Sequence, residues 1–141
     1  MNFDGVREAI ETTFKTEFGT SHPTVPVQYE NVRFRQPTGG PWVDIRIIEG
    51  DYVRQNLGSS QKYRGFGVIN VTCLVPEETG TVLINAITDR VFNILADRQW
   101  NVAGDSLNTY GAEKRTRGVV NGFYAKNVMV EFRFDTEIDR W

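Results

Sequence analysis

Phe3, Val6, Ile10, Phe14 and Phe18 follow one another at intervals of three or four, with Arg7, Glu8, Glu11 and Lys15 between them. Residues so spaced share one face of a 3.6-residue helix, so the pattern predicts an amphipathic helix over residues 3–18, stopped by Gly19. A turn-rich exit, Thr20 to Pro26, leads to a short strand at Val27-Gln28-Tyr29, and Gln36 to Pro41 forms a second loop. From Trp42 the period changes to two. Val43, Ile45 and Ile47 point one way and Asp44 and Arg46 the other, as in a half-buried strand.

The same alternation returns in Ile69, Val71, Cys73 and Val75, opposite Asn70 and Thr72. Between the two runs lies the polar stretch Gln55 to Gln61, so the pair reads as an extended hairpin with a long connection. Pro76 to Gly80 ends the second strand, and Leu83, Ile84, Ile87, Val91, Ile94 and Leu95 mark a second helix with a wide apolar face, laid across the sheet. A short strand at Gln99–Val102 and another up to Val120 follow. The turn signal Asn121-Gly122 then opens a final strand over Phe123 to Asp135, with Val128, Val130, Phe132 and Phe134 inward and Asn127, Glu131 and Arg133 outward. The expected fold is α+β: an antiparallel or mixed sheet with two helices packed on one face and long inter-strand loops.

The length of 141 residues fits one domain over residues 1–141, with neither an internal repeat nor a linker. Nine Phe, five Tyr and three Trp in a chain that is 40% hydrophobic and 24% charged supply a core without disulfides or metal. A formal net charge of -2 leaves no overall basic footprint for phosphate backbones. No segment approaches the ~20 apolar residues of a membrane span, and the charged N-terminal stretch does not read as a signal peptide, so the expectation is a soluble protein made in the cytosol.

The candidate chemistry is sparse. His22, the sole histidine, stands in a Ser-His-Pro turn with no cysteine beside it and no Ser-Asp pair that the sequence assigns to a triad. Cys73 excludes an internal disulfide and a cysteine-based zinc site by being alone, and its neighbours Val71 and Val75 place it in the core as an inert thiol. Gly65-Phe66-Gly67 lacks the third glycine and the following helix of a dinucleotide fingerprint and reads as a bend or close backbone approach. Gly104-Asp105-Ser106 reads as a turn. Asp135, Glu137 and Asp139 would line one face of an extended chain, where they are either solvated or hold a hard divalent cation. The reading is therefore of a non-enzyme with no cofactor and no metal.

Charge is segregated instead. Between Asp51 and Glu77 every charge is positive (Arg54, Lys62, Arg64), Lys114, Arg115 and Arg117 form a second basic cluster, and Glu77 and Glu78 form an acidic corner. These are either solvated loops or loops that order against an acidic neighbour or pass near DNA. The segment Tyr52–Arg64 is read as a loop that contacts another chain, through Arg54, Gln55, Leu57, Lys62, Tyr63 and Arg64, with Leu57 as apolar anchor; the resemblance given below makes that chain a further subunit or the tube. Trp42, between Pro41 and Val43, is either a further contact or a core residue. Asp44, Arg46, Glu131 and Arg133 form a charged sheet face, which the resemblance given below assigns to a lumen or a neighbouring subunit.

The order of short segments carries a resemblance. Val25-Pro26-Val27-Gln28-Tyr29-Glu30-Asn31-Val32, Pro41-Trp42-Val43, Leu57-Gly58, Tyr63-Arg64-Gly65-Phe66-Gly67, Val75-Pro76-Glu77-Glu78-Thr79-Gly80, and Gly122-Phe123-Tyr124-Ala125-Lys126-Asn127-Val128 with Phe132 together resemble phage tail terminator proteins, including the lambda minor tail protein U group. No matching motif lies between Asp97 and Gly118. The resemblance implies a virion protein, assembled in the host cytoplasm, that forms a hexameric ring on the head-proximal end of the tail tube. Family members stop tube polymerisation and present a surface to head-completion proteins. The implied partners are further copies of the chain, the major tail tube protein and a head-completion or stopper protein, with DNA passing through the lumen and no membrane. Competing readings are a head-tail stopper, a tail tube protein, or a small nucleic-acid-binding module using the two basic segments with Tyr63, Phe66 and Tyr110.

Overall fold

In the computed structural model, which describes residues 3–57, 61–102 and 104–138, helix α1 spans Phe3–Ser21. Its buried residues are Val6, Ile10, Phe14 and Phe18, the stripe that the spacing predicts. The helix runs three residues past the expected stop. Gly19 terminates nothing because the last turn satisfies its own carbonyls: Thr20 Oγ1 donates to Thr16 O at 2.9 Å, and His22 N donates to Phe18 O at 2.8 Å.

Strands β1 (Val27–Gln28), β2 (Trp42–Arg54) and β3 (Gln61–Pro76) precede helix α2 (Val82–Leu95), and β4 (Gln99–Val102), β5 (Asp105–Val120) and β6 (Phe123–Ile138) follow it. They form one curled mixed sheet in the order β1-β2-β3-β6-β5-β4. The β1–β2 pair is parallel and every other pair antiparallel. Both helices lie on the face built by Ile45, Ile47, Ile69, Val71, Val128, Val130, Phe132 and Phe134, and one core cluster holds all of these with Ile10, Phe14, Ile87 and Val91. Burial of a Phe or Ile side chain contributes about 1.5–3 kcal/mol, so this shared cluster is the main source of stability.

Polar bonds fix how the helices sit. Trp100 Nε1 donates to Thr13 Oγ1 at 2.8 Å, tying β4 to α1. The buried Thr109 Oγ1 donates to Leu95 O at 2.5 Å and accepts from Arg98 N at 2.8 Å, so the C-terminal end of α2 is anchored to β5. Glu30 Oε1 accepts from Ile47 N at 2.5 Å and from Arg7 Nη1 at 3.2 Å, clipping the β1–β2 connection and α1 to the edge of β2.

Two expected loops are strand. Tyr52, Val53 and Arg54 pair with Gly65, Arg64 and Tyr63, and Gln55 N donates to Lys62 O at 2.7 Å, so the β2–β3 ladder continues to Arg54 and begins again at Gln61. The segment Tyr52–Arg64 is thus mostly a hairpin arm, braced further by pairing of Lys62 and Arg64 with Glu137 and Asp135 of β6. Period-two patterning misses such an arm because its residues have no buried face to alternate against. Lys114, Arg115 and Arg117 likewise belong to β5, the strand expected up to Val120, rather than to a loop. The long connection is residues 29–41, between β1 and β2.

Candidate functional site

The sheet face turned away from the helices is where the sequence-predicted residues gather. Asp44 and Arg46 of β2 point there and pair with each other at 3.1 Å. The rows Asp44–Thr72–Asn127–Arg115 and Arg46–Asn70–Met129–Glu113 carry the face across β3, β6 and β5, where Glu113 and Arg115 pair at 2.8 Å. Further along, Glu131 is exposed, and the Arg133 guanidinium lies 5.4 Å from the centre of the Tyr110 ring. The four predicted face residues therefore share one surface, Asp44 and Arg46 on β2 and Glu131 and Arg133 on β6, with β3 between the two groups. Asn70 Oδ1 and Asn127 Oδ1 are buried there without a hydrogen-bond partner among the described residues.

Trp42 stands at one end of this face. It stacks on Phe34 at 5.5 Å, meets Phe123 edge-on at 6.1 Å, and packs against Leu74, Phe123 and Ala125 in a small second apolar cluster. Packing takes up part of its surface, and the residue stays partly exposed.

The arm carries the other predicted contacts. Leu57 at its tip is 95% exposed. Arg54 Nε donates to Asn56 O at 2.6 Å, and Asn56 Oδ1 accepts from Lys62 N at 2.9 Å, which fixes the turn. Arg64 is not a free cation: its Nε donates to Asp135 Oδ1 at 3.0 Å, and this bond pushes the guanidinium pKa up. Gln55, Lys62, Tyr63, Arg64, Asp135 and Glu137 line a recess of about 300 Å³ beside that pair. Asp135 is thus engaged by Arg64, no group of three metal-ligating side chains occurs among the described residues, and Asp139 lies outside them. Gly58 also lies outside them.

The other candidate groups are structural in their geometry. Burial pushes the Cys73 thiol up to about 12. His22 stacks on Phe18 at 5.2 Å, and burial, then the nearby Arg90 charge, lowers its pKa. The Gly-Phe-Gly run makes the close approach expected of it: a Cβ at Gly65 would lie 2.5 Å from the Phe134 ring, and one at Gly67 would lie 2.4 Å from both the Phe132 ring and Ile48 O.

Sequence reasoning missed an apolar strip on the same open face. Ile48 and Phe66 are 52% and 39% exposed, and with Val68 and Tyr110 they surround Glu131 and Arg133. The signal was Ile48 itself, the second of two adjacent isoleucines, which breaks the alternation toward the solvent side.

An open-faced sheet of this kind has known counterparts. The family model described as phage tail terminator protein matches residues 5–100. The chain belongs to that family. Among solved structures, a chain identified by a sequence label alone superposes with a TM-score of 0.76 at 16% identity, over 95% of this chain and 96% of that one. A chain of the virion of a native gene transfer agent particle superposes with a TM-score of 0.56 at 15% identity, over 92% of each. At these identities the two show a shared fold. No curated protein matches the sequence. Membership of the tail terminator family makes this chain a structural component of the virion tail that works in association with other virion proteins. No helix among the described residues is long and apolar enough to cross a membrane.

Proposed function

We propose that this tail terminator forms a hexameric ring that caps the head-proximal end of the tail tube, stops its polymerisation and offers the joining surface for the head-completion protein. The reading is carried by the family match over residues 5–100. The distribution of surface supports it: helices cover one sheet face, while the other keeps Asp44, Arg46, Glu131 and Arg133 for a lumen or a neighbouring subunit. DNA would pass that face without base-specific contact, because its mixed charge offers no continuous basic footprint for phosphates.

The ring adds to the tube as one further layer whose upper face lacks the pairing surface that another tube subunit needs. Termination is then geometric. The arm residues Arg54, Gln55, Leu57, Lys62, Tyr63 and Arg64 are the contacts assigned to a neighbour or to the tube, Leu57 foremost because burial of its exposed side chain contributes about 1.5–3 kcal/mol per subunit. Trp42 is a lesser contact. Electron microscopy of tails assembled with and without this protein tests the reading. Irregular, overlong tubes are expected in its absence, and uniform tails of normal length would end it. Polymers of many layers in the purified protein would mark a tube protein instead.

A further inference from the structure

The two long edges of the sheet are each covered over part of their length, and the uncovered parts carry charges of opposite sign. On β2, β1 pairs with Val43 and Asp44, and Ile47 has its N–H taken by Glu30 and its carbonyl by Arg7. Residues 49–54 lie beyond these and are all exposed. On β5, β4 pairs with Asp105 to Asn108, and the backbone of Asp97 and Arg98 bonds Tyr110 O and Thr109 N. Residues 111–117 lie beyond, and all but Ala112 are exposed. The open β2 edge carries Glu49 and Asp51 against Arg54, while the open β5 edge carries Lys114, Arg115 and Arg117 against Glu113.

Exposed strand edges invite pairing with another chain, and natural sheets blunt them with charge, proline or bulges. Blunting needs charge of either sign; it does not need acid on one edge and base on the other. We propose that residues 49–54 of one copy pair with residues 111–117 of the next, so that the sheets of neighbouring subunits join edge to edge around the ring. This rests on the ring proposed above and names the surface that makes it.

Three geometric facts fit. β2 and β5 run in opposite directions, because three antiparallel pairings separate them. Copies related by rotation about one axis therefore bring the edges together antiparallel, continuing the alternation of the sheet. The contact joins two different surfaces, as a closed cyclic ring requires. The open segments also lie at diagonally opposite ends of the sheet. The β2 bulge stands level with Phe66, Arg133 and Asn108, whereas Lys114 stands level with Val128, five residues away along β6. Five residues of strand are about 17 Å, and four strands are about 19 Å wide. That stagger per subunit tilts the strands by roughly 40° from the ring axis, within the range at which sheets close into barrels.

A charge swap tests this without knowledge of the register. One variant carries Glu49→Lys with Asp51→Lys, the other Arg115→Glu with Arg117→Glu; Lys114 is left in place because it pairs with Asp89. Each is mixed with tail tubes assembled without this protein and followed by electron microscopy, with circular dichroism and thermal melting to show that the chains fold. Wild-type chain should cap the tubes, each variant alone should lose at least tenfold of the capped ends, and the equimolar mixture, whose edges are again of opposite sign, should recover them. Capping by either variant alone at wild-type level, or no recovery by the mixture, overturns the edge pairing while leaving the ring intact. Failure of the wild-type chain to cap removes the ring and the pairing together. Hydrogen exchange on the wild-type ring needs no substitution: amides in 49–54 and 111–117 should slow at least tenfold on assembly, and unchanged exchange in both segments overturns the proposal.

Discussion

At the scale of single residues, Gly65 and Gly67 are the positions where the absence of a side chain is used, and they differ in a way that can be measured. A methyl group at Gly65 meets the rims of Phe134 and Tyr52, both aromatic side chains that can turn aside. One at Gly67 meets Phe132 and also the carbonyl of Ile48, a backbone atom held in the β2–β3 ladder next to its bulge. Overpacking of this kind costs about 1–3 kcal/mol, so Gly67→Ala is expected near the upper end and Gly65→Ala near the lower, as read from urea denaturation midpoints. Equal costs would mean that the Ile48 carbonyl is free to move. His22 gives a pH signature. Its pKa is lowered in the folded state, so between that value and the ordinary 6.5 the unfolded chain binds more protons than the folded one. Stability therefore falls as pH drops below 6.5 through the lowered pKa, and no contribution remains above 6.5, where both states are neutral. The melting temperature of His22→Gln should be less sensitive than wild type over this interval, with the difference vanishing at pH 8.

At the scale of elements, the sequence was most legible where burial is one-sided. The α1 stripe, the inward residues of β2, β3 and β6, and the wide face of α2 all follow from periods of 3.6 and 2, because each element has one face on the common core. Where neither face is buried, the pattern carries no signal, and for that reason the arm from Tyr52 to Arg64 reads as a loop, and the basic cluster of β5 reads as one even though it falls inside the strand expected up to Val120. Their pairing is set by partners distant in sequence, such as Asp135 for Arg64 across 71 residues. The candidate face was legible for the same reason as the core, since the outward set is the complement of the inward one; the apolar strip around Phe66 and the parallel seat of β1 were not. Because the Arg64–Asp135 pair is partly exposed, a double-mutant cycle with Ala and Asn should give a coupling of about 0.2–1 kcal/mol, so the arm is held mainly by its ladder. Leu57→Ser at the tip is expected to change monomer stability by no more than about 0.5 kcal/mol while weakening attachment to the tube. A loss of stability with unchanged attachment would assign Leu57 to the fold instead.

At the scale of the whole molecule, the net charge of -2 conceals a lateral asymmetry, acid on the open part of one sheet edge and base on the open part of the other. A near-neutral total keeps identical subunits from repelling one another, while the asymmetry gives their encounter a preferred direction. Charged pairs at an exposed rim are screened within about 10 Å at 0.1 M salt and about 3 Å at 1 M. The backbone bonds of an edge-to-edge ladder are far less sensitive to salt. Raising the salt concentration across that range should thus slow the association of subunits by at least tenfold while changing the rate of ring dissociation much less, as followed by stopped-flow light scattering. If apolar contact through Leu57 and the Phe66 strip were the main bond between subunits, added salt would leave association unchanged or strengthen it. The sign of the salt effect on association therefore separates an electrostatically guided edge pairing from a ring held by its arm.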